Sequence, residues 1–542
     1  MNRSVSKKLW GVAGIAVFAM ALSACAGPPQ GADQGETVVV ALPSQSTQVS
    51  WDAGYVGSED YIDMQVLLHA GLIQKDYIAS TDEGVVTQDV ATFSGYLAEG
   101  YTVSDDGLTY TFTLKDDVVS QAGNPLTVDD VIWSFERKFD PATAGLSKAL
   151  FATAGVTGMD QITKIDDSSM AITVPRAGDG YTLLGVLADS CGQIYDSTFL
   201  EEHATDDDPY AVEWTASNTG FGFGPYEVES MTDGSETVLV ANADYVLGEP
   251  EIKRVVRRVV PEVGNRLNAL KSGDADIALA LRPSDMAELQ DDDSVFAPSI
   301  DTNQLLEMNL VVNKAPFDKV EVRQAWAYAI DYDRIIDEIY SGQATKQNTY
   351  LTPSLAGYSA EGLPDWSYDP DASKELLAEA GVTGDVPFTL TISNADPVAS
   401  DIAVTLKDSA ADAGFDVQIK EVTPTQLAET SNAGSGQAYI GWGSAWNLSP
   451  PYMLLLNYDP VSGDSKWSSA EYEAAIQRGF EAGDVTSDAA GAEWNAAEQI
   501  WLNSASKIII AKLGPASAMS STLTDWTWRT DGALDLSVVK YR

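Results

Sequence analysis

The stretch Leu97-Ala-Glu-Gly-Tyr-Thr-Val-Ser-Asp-Asp-Gly-Leu-Thr-Tyr-Thr-Phe-Thr-Leu-Lys115, continued by Gly123-Asn-Pro-Leu-Thr-Val-Asp-Asp-Val-Ile-Trp-Ser-Phe135, decides how the rest is read. Tyr110-Thr-Phe-Thr-Leu114 alternates with period two, the pattern of a half-buried strand. Asp106-Gly107 supplies a tight turn between strands. Thr127-Val-Asp-Asp130 reads as a helix start, with Thr127 as N-cap and acidic residues in the first turn. In the helix Val131–Phe139, Val131, Phe135 and Phe139 lie four apart on one face, with Ile132 beside them. Strands handing over to an amphipathic helix predict α/β or α+β layers.

The same alternation continues in both directions. Thr37-Val-Val-Val-Ala-Leu42 begins a strand, and Arg254–Pro261 is a strand running into a helix over Glu262–Leu270. Asp276–Leu281 reads as another apolar strand. Val322, Ala325, Trp326, Ala329 and Ile330 sit at helical spacing. Asp331 is expected to cap a further helix through Ile339, closed by Gly342. Strands are expected at Phe388–Ile392, Val417–Val422 and Ala438–Trp442, and helices at Ala372–Ala380, Ser469–Ala482 and Trp494–Leu502.

The 542 residues carry 80 Asp+Glu against 32 Lys+Arg, a formal charge of −48. Such a chain will not bind nucleic acid by neutralising phosphates. Two cysteines make neither a disulfide scaffold nor a zinc ribbon. With 44% hydrophobic residues, it is no acidic disordered tail either. A globular protein of two or more domains is expected.

The first residues read as an address. Arg3, Lys7 and Lys8 precede an apolar run from Leu9 to Leu22. That run is shorter than the about 20 residues a spanning helix takes and has the shape of a secretory h-region. Leu22-Ser-Ala-Cys25 resembles a bacterial lipobox, in which Cys25 becomes the first mature residue and its thiol the acyl acceptor. Residues 1–24 are thus expected to be a lipoprotein signal peptide, and the Gly/Pro/Gln-rich residues 25–36 a flexible tether. The mature charge becomes −51. Cys191, in the apolar run Leu183–Cys191, reads as a buried, inert thiol.

Further blocks follow in order: Gly222-Phe-Gly-Pro-Tyr-Glu-Val228, Asn242-Ala-Asp-Tyr245, and Arg266-Leu-Asn-Ala-Leu-Lys-Ser-Gly-Asp-Ala-Asp276. Then come Met308-Asn-Leu-Val-Val-Asn313, Pro316-Phe-Asp318, Val322-Arg-Gln-Ala-Trp-Ala-Tyr-Ala-Ile-Asp331, and Tyr368-Asp-Pro-Asp-Ala-Ser-Lys-Glu-Leu-Leu-Ala-Glu-Ala-Gly381. Together these blocks resemble the family 5 extracellular solute-binding proteins of ABC transporters, the peptide/nickel-binding group. The resemblance implies an α/β bilobal periplasmic-binding-protein-like fold of the cluster C type, two hinged lobes with an extra domain. Domain I would comprise residues 37–68, 221–302 and 512–542, domain II residues 69–220, and domain III residues 303–511. Ligand would lie between domains I and III, which close around it by hinge bending.

The segment expected to touch ligand is Tyr439-Ile-Gly-Trp-Gly-Ser-Ala-Trp-Asn-Leu-Ser-Pro-Pro451, and within it Trp442, Gly443, Ser444, Ala445, Trp446 and Asn447. In peptide-binding members the matching loop reads Gly-Trp-x-x-Asp, and its Asp pairs with the ligand's α-amino group. Here that position is Ala445, which cannot pair with an ammonium. Either an acid elsewhere replaces it, or the ligand has no amine to anchor. Core packing is the other reading for the two tryptophans. Trp51 and Tyr55, in the Gly/Ser/Asp-rich segment Ser44–Tyr61, are secondary candidates. Phe221 and Phe223 read as packing residues beside the glycines 220, 222 and 224, where a side chain would be forbidden.

Enzyme and metal chemistry find little support. His69 and His203 stand far apart with no HExxH, so no metal site or cofactor is expected. Ser504-Ala-Ser-Lys507 fits S-x-x-K without its companion motifs. The expectation is a monomeric, non-enzymatic lipoprotein on the extracytoplasmic face of the cell membrane. It would capture a small solute, a peptide first, and deliver it to ABC permease subunits, with no nucleic-acid partner. Oligosaccharides, opines or other amine-free solutes are the alternative because of Ala445. A secreted hydrolase and a ligand-sensing or chaperoning lipoprotein are the rival classes.

Overall fold

A computed structural model describes residues 37–45, 59–141, 143, 145–300, 302–352, 355, 358–444, 446–456 and 465–542. Within the opening stretch, the strand Thr109–Leu114 buries Tyr110, Phe112 and Leu114 and exposes the alternate threonines more. It pairs antiparallel with Ala98–Val103 across the turn at Gly107, whose φ of 72° suits glycine. Thr127 caps the helix Val128–Phe139 in a reciprocal box: its hydroxyl accepts from Asp130 N, and Asp130 Oδ2 accepts from Thr127 N at 2.8 Å. Val131, Phe135 and Phe139 are buried as their spacing predicts. Asp130 Oδ1 also accepts from Ser197 N at 2.8 Å and Ser197 Oγ at 2.6 Å, so one carboxylate both starts this helix and docks a second segment.

Two large sheets organise the molecule. The first has seven strands in the order Tyr226–Thr232, Glu236–Ala241, Arg254–Val259, Thr37–Leu42, Ile277–Ala278, Ala518–Ser520 and Val295–Phe296. Thr37–Leu42 runs parallel to both neighbours and buries Val38, Val40 and Leu42. The second has six, in the order Ala344–Lys346, Lys507–Leu513, Gln304–Leu310, Ala438–Ser444, Val386–Ser393 and Phe415–Val422. Residues two apart on its strands, such as Leu306, Met308 and Leu310, pack with Trp326 of the helix Val320–Ala329 and Leu406 of the helix Ala399–Asp412. A four-stranded sheet (Ala98–Val103, Thr109–Leu114, Ser169–Thr173, Ile162–Lys164) carries the opening stretch.

Two expectations need correction. Asp276–Leu281 is not a six-residue strand; only Ile277–Ala278 pairs. The chain turns away because Ala280 takes a φ of 50° and the Arg266 guanidinium claims the carbonyls of Leu279 and Ala280 at 2.8 and 2.7 Å. The helix after Asp331 is likewise not uniform: Asp331 caps Tyr332–Arg334, and Ile335–Ile339 widens into a π-turn before Tyr340.

The glycine-rich segment at 220–224 is a close approach. A Cβ on Gly222 would lie 2.0 Å from the Leu68 carbonyl oxygen, while Phe221 and Phe223 are buried in two different cores. Cys191 is buried with its thiol on the Val186 carbonyl at 3.2 Å, and burial pushes that thiol up. Lys507 of the S-x-x-K motif pairs with Glu307 at 3.0 Å, and Ser504 is buried, its hydroxyl 2.6 Å from the Trp501 carbonyl oxygen.

Glu498, in the helix Asp488–Asn503, is fully buried and accepts from Tyr350 N at 2.6 Å and Leu351 N at 2.9 Å. Burial outweighs those bonds and pushes its carboxyl from 4.5 up to about 7. The folded state therefore holds this proton more tightly than the unfolded chain does. The stability it contributes is full below pH 4.5 and is lost as pH rises through 7. Glu498→Gln keeps an oxygen acceptor and never ionises. Its Tm should gain on that of the native chain by several degrees between pH 4.5 and pH 7.5 in thermal melts; an unchanged difference would contradict the assignment.

Candidate functional site

The chain passes between the two large sheets twice, from Val295–Phe296 to Gln304–Leu310 and from Lys507–Leu513 to Ala518–Ser520. Thr302 Oγ1 donates to the Leu513 carbonyl at 2.6 Å, binding the crossings together. Gly514 N donates to Gln343 O and Leu281 N to Ala516 O, each at 2.7 Å, so the second crossing is stitched to both sides. Beside the crossings opens a cavity of about 510 Å³. Leu42, Pro43 and Leu279–Leu281 form one wall; Tyr340, Asp396, Trp442 and Trp446 stand on the other.

Trp442 lies on Ala438–Ser444, two residues beyond the buried Ile440 and therefore on the same face. The core ends at Ile440, so the indole projects past it and is 42% exposed within the cavity wall. Gly443 lines the cavity next to it. A Cβ there would sit 2.0 Å from Glu307 Oε1, so backbone alone fits between the buried carboxylate and the cavity. Ser444 closes the strand opposite Gln304. Trp446 lines the wall, and its carbonyl accepts from the buried Lys75 ammonium at 2.8 Å.

Asn447 is placed otherwise. It is 2% exposed and is not among the residues lining the cavity. Its Nδ2 donates to the Thr182 carbonyl at 2.9 Å, and Ser449 Oγ meets Thr182 Oγ1 at 2.5 Å. These bonds dock the loop on the helix Asp179–Ala188 and so hold Trp446 in position. Trp51, Tyr55, Ala445 and Cys25 lie outside the described residues.

Sequence reasoning missed Tyr340 and Asp396. Asp396 follows the strand Val386–Ser393 and accepts from Val398 N at 2.8 Å at the start of the helix Ala399–Asp412. Burial pushes its carboxyl up to about 6, against hydrogen bonds from Val398 N and Ala399 N. The available signal was positional: the loop leaves the carboxyl end of a strand with a parallel neighbour, where ligands of open α/β sheets bind. Asp531 also lines the cavity, and Arg529 bonds both its oxygens at 3.0 and 2.7 Å. Burial alone would raise Asp531; the guanidinium outweighs it and holds the carboxyl below its usual range. No group of His, Cys, Asp and Glu among the described residues is arranged to hold a metal ion.

Two lobes joined by two chain crossings, with a cavity at the joint, define a bilobal periplasmic-binding-protein fold. The model of the bacterial extracellular solute-binding proteins, family 5, middle region, matches residues 92–465, more than half of the chain. The chain belongs to this family, whose members are solute-binding proteins. It is 31% identical to heme-binding protein A of Haemophilus influenzae over 305 residues, 53% of each chain. It is 29% identical to a probable D,D-dipeptide-binding periplasmic protein of Escherichia coli over 67% of each. A dipeptide-binding protein from Pseudoalteromonas sp. SM9913, solved with Met-Leu, superposes with a TM-score of 0.80 at 18% identity, covering 93% of this chain and 100% of that one. At that identity the likeness concerns the fold.

Proposed function

We propose that this protein captures a small solute between its two lobes outside the cell and hands it to the permease of an ABC importer. The observation that carries this is the cavity of about 510 Å³ at the chain crossings, walled from both lobes. Its size falls in the roughly 300–1,000 Å³ range of small-molecule sites. A ligand touching both walls stabilises the closed arrangement over the open one, and the permease recognises that population shift. The first sheet and the strand Ala518–Ser520 support assigning residues 37–68, 221–302 and 512–542 to domain I, and the second sheet supports 303–511 as domain III. Lipidation of Cys25 would tether the protein to the extracytoplasmic membrane face. Among the described residues no helix is long and apolar enough to cross a membrane.

A peptide is the first solute to test, because a D,D-dipeptide-binding relative and a structure holding Met-Leu are among the similar proteins. Alanine at position 445, where peptide-binding members resembling this chain carry aspartate, favours an amine-free solute as the second reading. The test is native mass spectrometry of the purified protein for a co-purified solute. It is combined with titration of Met-Leu followed by tryptophan fluorescence and thermal shift. Saturable quenching, a raised Tm and recovery of the solute unchanged are expected. Turnover of the solute would overturn the reading.

A further inference from the structure

The cavity has nothing with which to hold an anion. Every Lys, Arg and His after residue 8 is a described residue, and none of them lines it. The nearest cations in the chain are engaged elsewhere. Arg282, between Leu281 and Pro283 of the wall, bonds Asp285 through Nε and Nη2, each at 2.9 Å. Arg529 holds Asp531, and Lys512 lines a separate cavity. Three helices begin at the wall, Pro283–Leu289, Ala399–Asp412 and Pro424–Asn432, and open helix N-termini attract carboxylates. Each already has a side-chain acceptor. Asp285 accepts from Arg282 N at 3.2 Å, Asp396 Oδ1 from Val398 N at 2.8 Å, and Gln426 from Thr423 N at 3.2 Å. The two described carboxylates of the wall offer an ammonium no better anchor. Both oxygens of Asp531 bond Arg529, and Asp396 Oδ2 is closed off by burial.

What the wall does present is apolar surface and two amides. Leu42, Ile62, Leu281, Val398, Trp442 and Trp446 are among its residues. Gln304 and Gln343 line it at the two chain crossings. Their backbones are fixed to one another through a short path. Gln304 N donates to Thr302 Oγ1 at 3.0 Å, Thr302 Oγ1 to Leu513 O at 2.6 Å, and Gly514 N to Gln343 O at 2.7 Å. A Cβ on Gly532, itself in the wall, would stand 3.1 Å from Gln304 Nε2, which places that amide at the cavity. Neither glutamine side chain makes a hydrogen bond to a described residue. Each therefore holds two donors and an acceptor ready on a fixed backbone, the complement of a neutral amide.

We propose that the cavity is built for an uncharged, largely apolar solute carrying amide groups, a peptide whose two ends are blocked or joined in a ring, and that Gln304 and Gln343 bond those amides. This rests on the solute-capture reading above and names its ligand class. A charged end brought into this wall loses its water and finds no partner, whereas an amide exchanges water for the glutamines.

The test uses four forms of Met-Leu: the N-acetyl amide (neutral), the N-acetylated acid (anion), the C-terminal amide (cation) and the free dipeptide (zwitterion). Each is titrated calorimetrically into the mature protein, Gln304→Leu and Gln343→Leu. The neutral form should bind at least about ten-fold more tightly than each charged form. Each leucine variant should weaken the neutral form about three- to ten-fold, with thermal melts matching the native chain's, since no described bond is lost. A charged form that binds as tightly as the neutral one overturns the proposal and leaves solute capture standing. So does native affinity in both folded variants. The comparison of the four forms on the native protein decides the charge preference even where a variant fails to fold. Should a different solute co-purify, an uncharged one supports the proposal and a charged one overturns it. Binding of none of the four forms, with no co-purified solute, overturns solute capture and this proposal together.

Discussion

Replacing Lys75 with methionine will lower the unfolding free energy by about 3–5 kcal/mol, the cost of breaking a buried ion pair from one side. Lys75 is 2% exposed, and its ammonium donates to Asp189 Oδ1 at 2.5 Å, Thr530 Oγ1 at 2.7 Å and the Trp446 carbonyl at 2.8 Å. The three acceptors come from three distant segments, so one charge ties the strand Ile73–Ala79 to the C-terminal region and to the cavity loop. Burial already pushes the Asp189 carboxyl up to about 6, with Lys75 pulling it back. Without the lysine that carboxyl rises further, and the variant's stability falls as pH climbs through the new value. The deficit in urea melts should thus be larger at pH 8 than at pH 5. Solute affinity should drop as well, because Trp446 loses its backbone anchor. The double variant Lys75→Met/Asp189→Leu should recover much of the stability, since no charge is left stranded. If it recovers none, the ion pair is not the source of the loss.

Arg266→Met should cost a similar amount, about 3–5 kcal/mol, by another route. The guanidinium donates to four backbone carbonyls: Val260, Pro261 and Leu279 at 2.8 Å and Ala280 at 2.7 Å. Methionine fills much of the space and satisfies none of them. Two of the four belong to the cavity wall, where Ala280 is held at a φ of 50°. A non-glycine residue in that region carries roughly 1–3 kcal/mol of strain, which surrounding bonds must hold in place. With Arg266 gone, residues 279–281 should relax toward extended backbone and reshape the wall. The measurements are denaturant unfolding and solute titration on the same variant. A stable variant with native affinity would show that the wall holds itself.

Elements set by near neighbours were legible in the chain. Alternation gave Tyr110, Phe112 and Leu114 their common face, and Thr127 with Asp130 marked a helix start. The Val322–Ile330 spacing located the helix Val320–Ala329, and the helix expected at Ser469–Ala482 is found at Ala470–Glu481 with Ser469 as its N-cap. Asp276–Leu281 was misjudged because an arginine side chain from a neighbouring helix captured its carbonyls, and no local pattern records that. Trp442 and Trp446 were legible as cavity candidates because a strand ends there in a Gly/Ser loop. Asn447 stands in the same loop, yet its amide docks on Thr182, 265 residues away in sequence.

The sequence by itself determined the alternation of strands and helices and the family. Those follow from periodicity, caps and ordered motifs, which act over a few residues or are read directly. Only the tertiary structure decided which of the 80 acidic residues line the cavity, Asp396 and Asp531 among the described ones. Whether a carboxylate is solvated, or buried and paired as Asp189 is with Lys75, depends on what distant segments bring beside it.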